Sequence, residues 1–344
     1  MTADAGIFVN DVHSRLNPTR VADLRCPLDA DELASAIRDA AERSLQISVC
    51  GARHAMGGQQ FGADTMLIDM TGMSRPVAFD AERGLIEIQA GADWPAVIRA
   101  THEAQAGPNK RWGIRQKQTG ADALSLGGAL AANVHGRGLL MQPIVDDVEA
   151  FTLMTGEGEL LTCSRERHGE LFSLVIGGYG LFGIVVTVTL RLGPRWKLRR
   201  LVDVLDIDDA IGAVRRRAGD GCLYGDFQYS IDPSDDSFLR RGVCACYQPE
   251  PQNTPVSDES ADLSTDEWVR LLRLAQDDKR RAFQEYALHY LATHGRIYWS
   301  DTMQLSTYLP NYSQLLERAG GSDGDESLVL GEQYVPADAL GRFL

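Results

Sequence analysis

Within Ser48-Val-Cys-Gly-Ala-Arg-His-Ala-Met-Gly-Gly-Gln59 a single imidazole, His54, sits in a glycine-bearing turn directly after a short apolar run. Gly51, Gly57 and Gly58 let the main chain come close to a ligand, and unpaired N–H groups in such a turn form a nest for an anion. A phosphate can lie on that backbone while His54 faces whatever the phosphate carries. Taken alone, the turn also reads as a plain strand connection with a solvated or satisfied histidine.

Two further glycine loops follow: Thr119-Gly-Ala-Asp-Ala-Leu-Ser-Leu-Gly-Gly-Ala-Leu-Ala-Ala-Asn-Val-His-Gly-Arg-Gly138 and Ile176-Gly-Gly-Tyr-Gly-Leu-Phe-Gly-Ile184. The third contains G-x-G-x-x-G, Gly178 to Gly183, with Asp203 beyond it. A dinucleotide loop of that type must open a helix whose N-terminus holds the pyrophosphate, and here β-branched residues alternating with polar ones (IVVTVTLRL) follow instead. A nicotinamide site at this motif is therefore rejected. The second loop has its own plain reading, a helix N-terminus whose small residues allow close packing.

The elements that must position these loops are legible in outline. Asp29 to Arg43 reads as an amphipathic helix with acidic residues in its first turn, and Gln46 to Cys50 as a strand into the first loop. Met66–Met70 and Leu85–Ala90 read as strands, Trp94 to Gln105 as a helix and Ile184 to Leu192 as a strand, which makes an α+β layer rather than regular α/β winding. After the charged run Arg195 to Arg200 the composition changes. Aromatic alternating strands are expected over 222–247 and 296–309, a helix over 266–291, and a mobile acidic, Pro-rich surface loop over 248–266.

The three loops together resemble the flavin domain of the vanillyl-alcohol oxidase / p-cresol methylhydroxylase superfamily, strongly over residues 18 to 195 and loosely beyond. The subgroups nearest in motif are the polyol, aldonolactone and decaprenylphosphoryl-ribose type oxidases. The resemblance implies an α+β fold: a two-subdomain FAD-binding domain of the p-cresol methylhydroxylase type over 1–198, then an antiparallel-sheet substrate (cap) domain over 199–344. Members usually run further, so the resemblance implies a chain truncated at its C-terminus.

What it implies for the site is an FAD held by Gly51, Ala52, Arg53, His54, Ala55, Met56, Gly57 and Gly58 in the first loop. Thr119, Ser125, Gly127, Gly128, Ala129, Asn133, His135 and Gly136 follow in the second, and Gly180, Gly183 and Ile184 in the third. Backbone N–H groups at Ser125, Gly127, Gly128 and Ala129 would reach ribityl and pyrophosphate oxygens, and the third loop would meet adenine and ribose. In relatives with this motif the imidazole is joined to the flavin 8α-methyl carbon, which needs a neutral nitrogen as nucleophile, so His54 is the expected tether. The second loop holds no cysteine, so attachment at two points is not expected.

The implied reaction is oxidation of a CH–OH carbon of a sugar, polyol or related alcohol by hydride transfer to flavin N5. Electrons then pass to oxygen or another acceptor. Ser327 to Pro336 is expected to be the last strand of the cap, with Glu332 taking or sharing the hydroxyl proton and Tyr334 on the same face. Glu332 also reads as an exposed strand carboxylate. Two other classes stay open: an FAD-binding protein with little turnover, because the C-terminal part is missing, and an NADPH-dependent flavin reductase of the same fold, which His54 disfavours.

Composition agrees with an enzyme. The chain has 344 residues, 44% of them hydrophobic, enough for about two cores. A formal charge of −14 argues against nucleic acid or an anionic membrane as partner. No apolar run reaches the ~18 residues that span a bilayer, and the first residues lack the pattern of a signal peptide, so a cytoplasmic protein is expected. Cys26, Cys50, Cys163, Cys222, Cys244 and Cys246 are expected to be buried reduced thiols. The seven histidines show no zinc-type spacing, and no metal is expected.

Overall fold

A computed structural model describes residues 6–107, 110–257, 263–305 and 329–344. The chain divides into two compact units, one built from the chain up to Gly136 with Gln142–Arg195 and Val329 and Leu330, the other from Arg137–Met141, the described residues from Trp196 to Leu305, and Gly331–Leu344.

In the first unit β1 (Ile7–Val9) and β2 (Thr19–Val21) form an antiparallel ribbon. Next come β3 (Asp23–Arg25), α1 (Ala30–Glu42), β4 (Ile47–Cys50) and β5 (Met66–Asp69), with the strands in a parallel sheet of order β3-β5-β4. Leu33, Ala36, Ile37 and Ala40 recur at helical spacing, so α1 presents one apolar face, and the Asp29 carboxylate caps it by accepting from the Glu32 N–H at 2.9 Å. That face packs with Met66, Ile68, Met70, Met154, Ile184 and Val186 in the buried core.

The rest of this unit runs β6 (Pro76–Asp80), β7 (Leu85–Gln89), α2 (Trp94–Glu103), β8 (Trp112–Gly113), α3 (Leu126–Ala131), β9 (Val148–Met154), β10 (Leu160–Ser164), α4 (Gly169–Val175), β11 (Ile184–Arg191) and β12 (Gly193–Pro194). Five of these strands form an antiparallel sheet of order β10-β9-β11-β7-β6. The period-two pattern of β11 buries every second residue, as its alternation of apolar and polar side chains requires.

The second unit is an antiparallel sheet of order β14-β15-β13-β16, from β13 (Lys197–Asp206), β14 (Tyr224–Tyr229), β15 (Arg241–Glu250) and β16 (Ile297–Trp299). α5 (Ile207–Gly219) brings Val214 to one face, against Leu201, Leu205, Cys222, Phe227, Cys244 and Cys246. α6 (Thr265–Asp277) precedes α7 (Lys279–Ala292), which sets Phe283, Tyr286, Ala287 and Tyr290 against Val202 and Val243 on the other face. The Arg200 guanidinium lies 4.3 Å from the ring centre of Tyr298 and 5.2 Å from that of Tyr290, a cation held on aromatic faces.

Several expectations are corrected. The helix expected over 266–291 is two helices, because Asp278 leaves helical geometry (φ −146°, ψ 77°) and caps the second by accepting from the Arg281 N–H at 3.0 Å. The strand expected over 296–309 stops at Trp299, where Asp301 starts a 3₁₀ turn; 306–309 lie outside the described residues. Of the loop expected over 248–266, residues 248–250 are strand, Thr265 and Asp266 already open α6, and 258–262 lie outside the described residues. Val329 to Pro336 form no strand; Leu330 donates its N–H to Met56 Sδ at 3.2 Å instead of to a ladder, and Val329, Leu330 and Tyr334 are exposed. Ser327 and Leu328 lie outside the described residues. Cys26 is exposed, while the other five thiols are buried and unbridged. Among the described residues no helix is long and apolar enough to cross a membrane.

Leu33 is fully buried in the core beneath α1. Leu33→Ala is expected to cost about 2–5 kcal/mol through lost burial and the cavity left behind. In urea unfolding this lowers the midpoint without changing the slope.

Candidate functional site

The first loop leaves the end of β4 and is fixed from three sides. Behind it, Arg53 stands at φ 60° and its guanidinium pairs with the Asp69 carboxylate at the end of β5, 2.7 Å away. In front, the turn between β1 and β2 clasps it: Val12 donates its N–H to the Arg53 carbonyl (3.1 Å), while Asn17 Nδ2 and Ser14 Oγ donate to the Met56 carbonyl (2.7 and 3.2 Å). Beside it lies the second loop. A Cβ on Gly51 would collide with Ser125 Oγ and lie 2.8 Å from Ser125 Cβ, so this contact exists only with glycine at 51.

Ser125 caps α3, accepting from the Gly128 N–H at 3.3 Å, and Gly127 donates to the Ala90 carbonyl at 2.7 Å. With Ala129 N–H on the Ser125 carbonyl (2.9 Å), these donors are spent inside the fold. The small residues at 127–129 allow this close packing. The third loop hangs from the far end of α3, Gly177 and Tyr179 donating to the Leu130 and Ala131 carbonyls (3.0 and 3.1 Å). At its exit Gly183 has φ 134°, and a Cβ would meet the Met154 carbonyl at 2.7 Å; Ile184 then enters β11. Gly180 is open, with nothing near a Cβ position. The motif Gly178 to Gly183 thus leads into a strand, not a helix.

Elsewhere in the second loop, Thr119 is exposed, Asn133 accepts from the Val145 N–H at 3.2 Å, and the His135 ring Nδ1 lies 3.1 Å from the Gly136 carbonyl. Gly136 packs on the Lys117 carbonyl, which leaves 2.5 Å for a Cβ. Lys117 itself is fully buried and ion-paired with Asp122 at 2.5 Å, a pair that fixes the strand of loop leading to Ser125. The structure therefore brings the first, second and third loops together in one unit. Glu332 and Tyr334 belong to the other unit, on an exposed, non-strand segment.

His54 is half-buried, and its Nδ1 lies 2.6 Å from Nε2 of His13. Burial chiefly, and the neighbouring His13, press its pKa down to about 4, while a backbone hydrogen bond with Ala123 acts the other way. The imidazole is thus neutral at physiological pH. Burial also lowers His13, against the pull of the Asp11 carboxylate. Asp11 is held ionised, at about 2, by hydrogen bonds from Asn17, Ser14, Arg15 and His13 that outweigh its desolvation. Nothing in the spacing of residues 11, 13 and 54 announces this cluster; the polar stretch Asn10 to Asn17 was the available sign.

From Ala52 to Gly57 no main-chain N–H donates to a main-chain carbonyl of the described residues, and the loop turns on a left-handed Arg53 and Gly58. Main-chain N–H groups without main-chain partners, in a turn beside a neutral imidazole, are the kind of donor an anion can use. Residues 22–164 match the family profile described as FAD binding domain. This segment is similar to an FAD-binding domain. A chain 32% identical over 192 residues is the uncharacterized oxidoreductase ORF5 of the fasciation locus of Rhodococcoides fascians, covering 56% of this chain and 41% of that one. Cytokinin dehydrogenase 2 of Oryza sativa subsp. japonica is 28% identical over 253 residues, 69% of this chain and 42% of the relative. Cytokinin dehydrogenase 1 of Arabidopsis thaliana is 26% identical over 215 residues, 59% and 36% respectively. The chain thus spans about two fifths of the length of these relatives. A solved cholesterol oxidase from Brevibacterium sterolicum, a histidine-to-alanine mutant, shares the fold with TM-score 0.64 and 16% identity, over 86% of this chain and 60% of that one.

The FAD-binding domain makes two expectations. Gly51→Val forces the first loop off Ser125, so the purified variant is expected to carry much less FAD per chain by absorbance while keeping its circular dichroism. A proton titration by NMR is expected to find the His54 ring neutral down to about pH 5. Because the folded pKa of about 4 lies below the ordinary 6.5, the unfolded chain binds the proton first as pH falls. This group's contribution to stability is intact above pH 6.5 and lost progressively toward 4.

Proposed function

We propose that the chain is an FAD-dependent oxidoreductase whose flavin is joined through its 8α-methyl carbon to His54. It would oxidise a CH–OH group of a sugar, polyol or related alcohol. The observation that carries this reading is a half-buried imidazole, neutral at working pH, on a glycine loop locked against a second loop of the same FAD-binding domain. A neutral ring nitrogen is the nucleophile that such a bond needs. Bound FAD supplies hydride acceptance at N5. The loops supply placement: the main chain of 52–57 faces the ligand, and Arg53, tied to Asp69, holds that turn open.

Residues 1–198 then form the flavin domain and 199–344 the substrate domain, with Glu332 as the group that takes the hydroxyl proton and Tyr334 beside it; the resemblance alone supports these two. Oxygen or another acceptor removes the electrons, and the cytoplasm is the proposed location. A second substrate reading is favoured by the names of the relatives: a cytokinin in place of the alcohol.

Acid precipitation of the purified chain is expected to leave flavin in the pellet, and His54→Ala to move it to the supernatant while some FAD remains bound before acid. Full retention of acid-stable flavin in the variant contradicts the assignment. Anaerobic bleaching of the bound flavin by a polyol or sugar, and not by a cytokinin or NADPH, supports the alcohol reading; bleaching by the cytokinin replaces it.

A further inference from the structure

We propose that Asp226 and Arg137 form a recognition site for the hydroxyl groups of a sugar or polyol, with Asp226 the specificity-determining residue of the second unit; the inference rests on the alcohol reading proposed above. Asp226 lies within β14, opposite Ala245 of β15. Alternation along the strand puts Tyr224, Asp226 and Gln228 on one face. Gln228 pairs with Val243, whose side chain packs with α7, so this is the face that α7 shares. The segment 137–139 completes the edge of the sheet beside β14: Gly225 donates its N–H to the Arg137 carbonyl at 2.9 Å, and Leu139 donates to the Leu223 carbonyl at 2.9 Å. Arg137 Nη1 then stands 3.1 Å from Asp226 Oδ2. In sequence Arg137 follows directly on His135 and Gly136, the end of the second glycine loop's motif.

As a structural ion pair this arrangement is incomplete. One guanidinium nitrogen meets one carboxylate oxygen, while Asp226 Oδ1 is buried and has no hydrogen-bond partner among the described residues. A buried carboxylate oxygen left without a partner costs the folded chain free energy, which a ligand that donates to it recovers. Burial raises the Asp226 pKa above the ordinary carboxylate value, against the pull of Arg137, Gln228 and Arg200. The Asp226 charge in turn bears on Tyr247 and Tyr286, whose hydroxyls burial holds protonated. Tyr286 donates to Gln228 Oε1, and Tyr247 accepts from Arg200 Nε at 3.1 Å. The carboxylate is thus surrounded by guanidinium, amide and hydroxyl groups. Two guanidiniums near one carboxylate repel a metal ion or an ammonium. A row of hydroxyls suits the pair: one donates its hydrogen to Asp226 Oδ1, and the oxygen of the next accepts from Arg137. Adjacent carbons of a sugar or polyol supply that row; the flat ring of a cytokinin does not. This is a binding role, separate from the proton transfer assigned to Glu332.

The test is anaerobic reduction of the FAD-loaded protein, read as loss of flavin absorbance at rising concentrations of xylitol, D-sorbitol and n-pentanol. In the wild type, xylitol is expected to half-saturate the bleaching at a concentration roughly tenfold or more below that of n-pentanol, which has the same number of carbons and a single hydroxyl. Asp226→Asn keeps the shape and removes the charge. It is expected to raise the half-saturating xylitol concentration roughly tenfold to a hundredfold, the size of a lost hydrogen bond to a charged group, with little change in the limiting rate, and to shrink the preference over n-pentanol accordingly. Arg137→Gln is expected to act in the same direction and stands in should the asparagine variant not fold. Both variants are expected to keep their FAD content and circular dichroism. A variant that handles xylitol as the wild type does overturns the proposal, as does a fall in limiting rate at unchanged half-saturation. Loss of FAD or of the fold in both variants gives the pair a structural role and overturns it too, and so does wild-type protein that treats xylitol and n-pentanol alike. Wild-type flavin that none of the three compounds bleaches overturns the alcohol reading itself, before any variant is made.

Discussion

The approach of Gly51 to Ser125 is the constraint on which the rest of the flavin domain depends. The two loops meet without room for a side chain, so the end of the parallel sheet and the start of α3 become one rigid edge. Everything else is arranged to hold that edge: α1 packs the sheet from below, Gly127 ties α3 to the residue after β7, and Gly177 and Tyr179 tie the third loop to the far end of α3. A ligand on the first loop therefore meets a surface whose shape is set before it arrives, which lowers the ordering cost of binding.

Electrostatics near His54 follow from the same packing. The turn between β1 and β2 brings Asp11 and His13 to the loop, and the Asp11 carboxylate is stabilised in its charged form by local hydrogen bonds. Arg53, the nearest cation in sequence, is turned away to Asp69 by its left-handed backbone. The imidazole is left among half-buried groups that favour its neutral form. Burial, with His13 beside it, thus keeps the ring neutral.

Much of this was legible in the sequence because it is local. Spacing of Leu33, Ala36, Ile37 and Ala40 gave α1, alternation gave β11, and the strand after Gly183 removed the dinucleotide reading. What was not legible is tertiary. Asp278 divides a long helical pattern through backbone geometry that leaves the helix, and Val329 to Pro336 form no strand. The N–H groups of Gly127 and Gly128 read as ligand donors from their motif, but their carbonyl and hydroxyl partners at Ala90 and Ser125 come from folding. His13 reaches His54 across 41 positions through a turn whose polar residues carry no spacing signal.

The most direct test is a proteolytic digest of the purified chain, followed by flavin absorbance and mass analysis of its peptides. The expected result is that the flavin travels with the peptide containing His54, its mass raised by one FAD or by the flavin fragment left after phosphate cleavage. Flavin released entirely as free FAD, or found on a different peptide, would contradict the account.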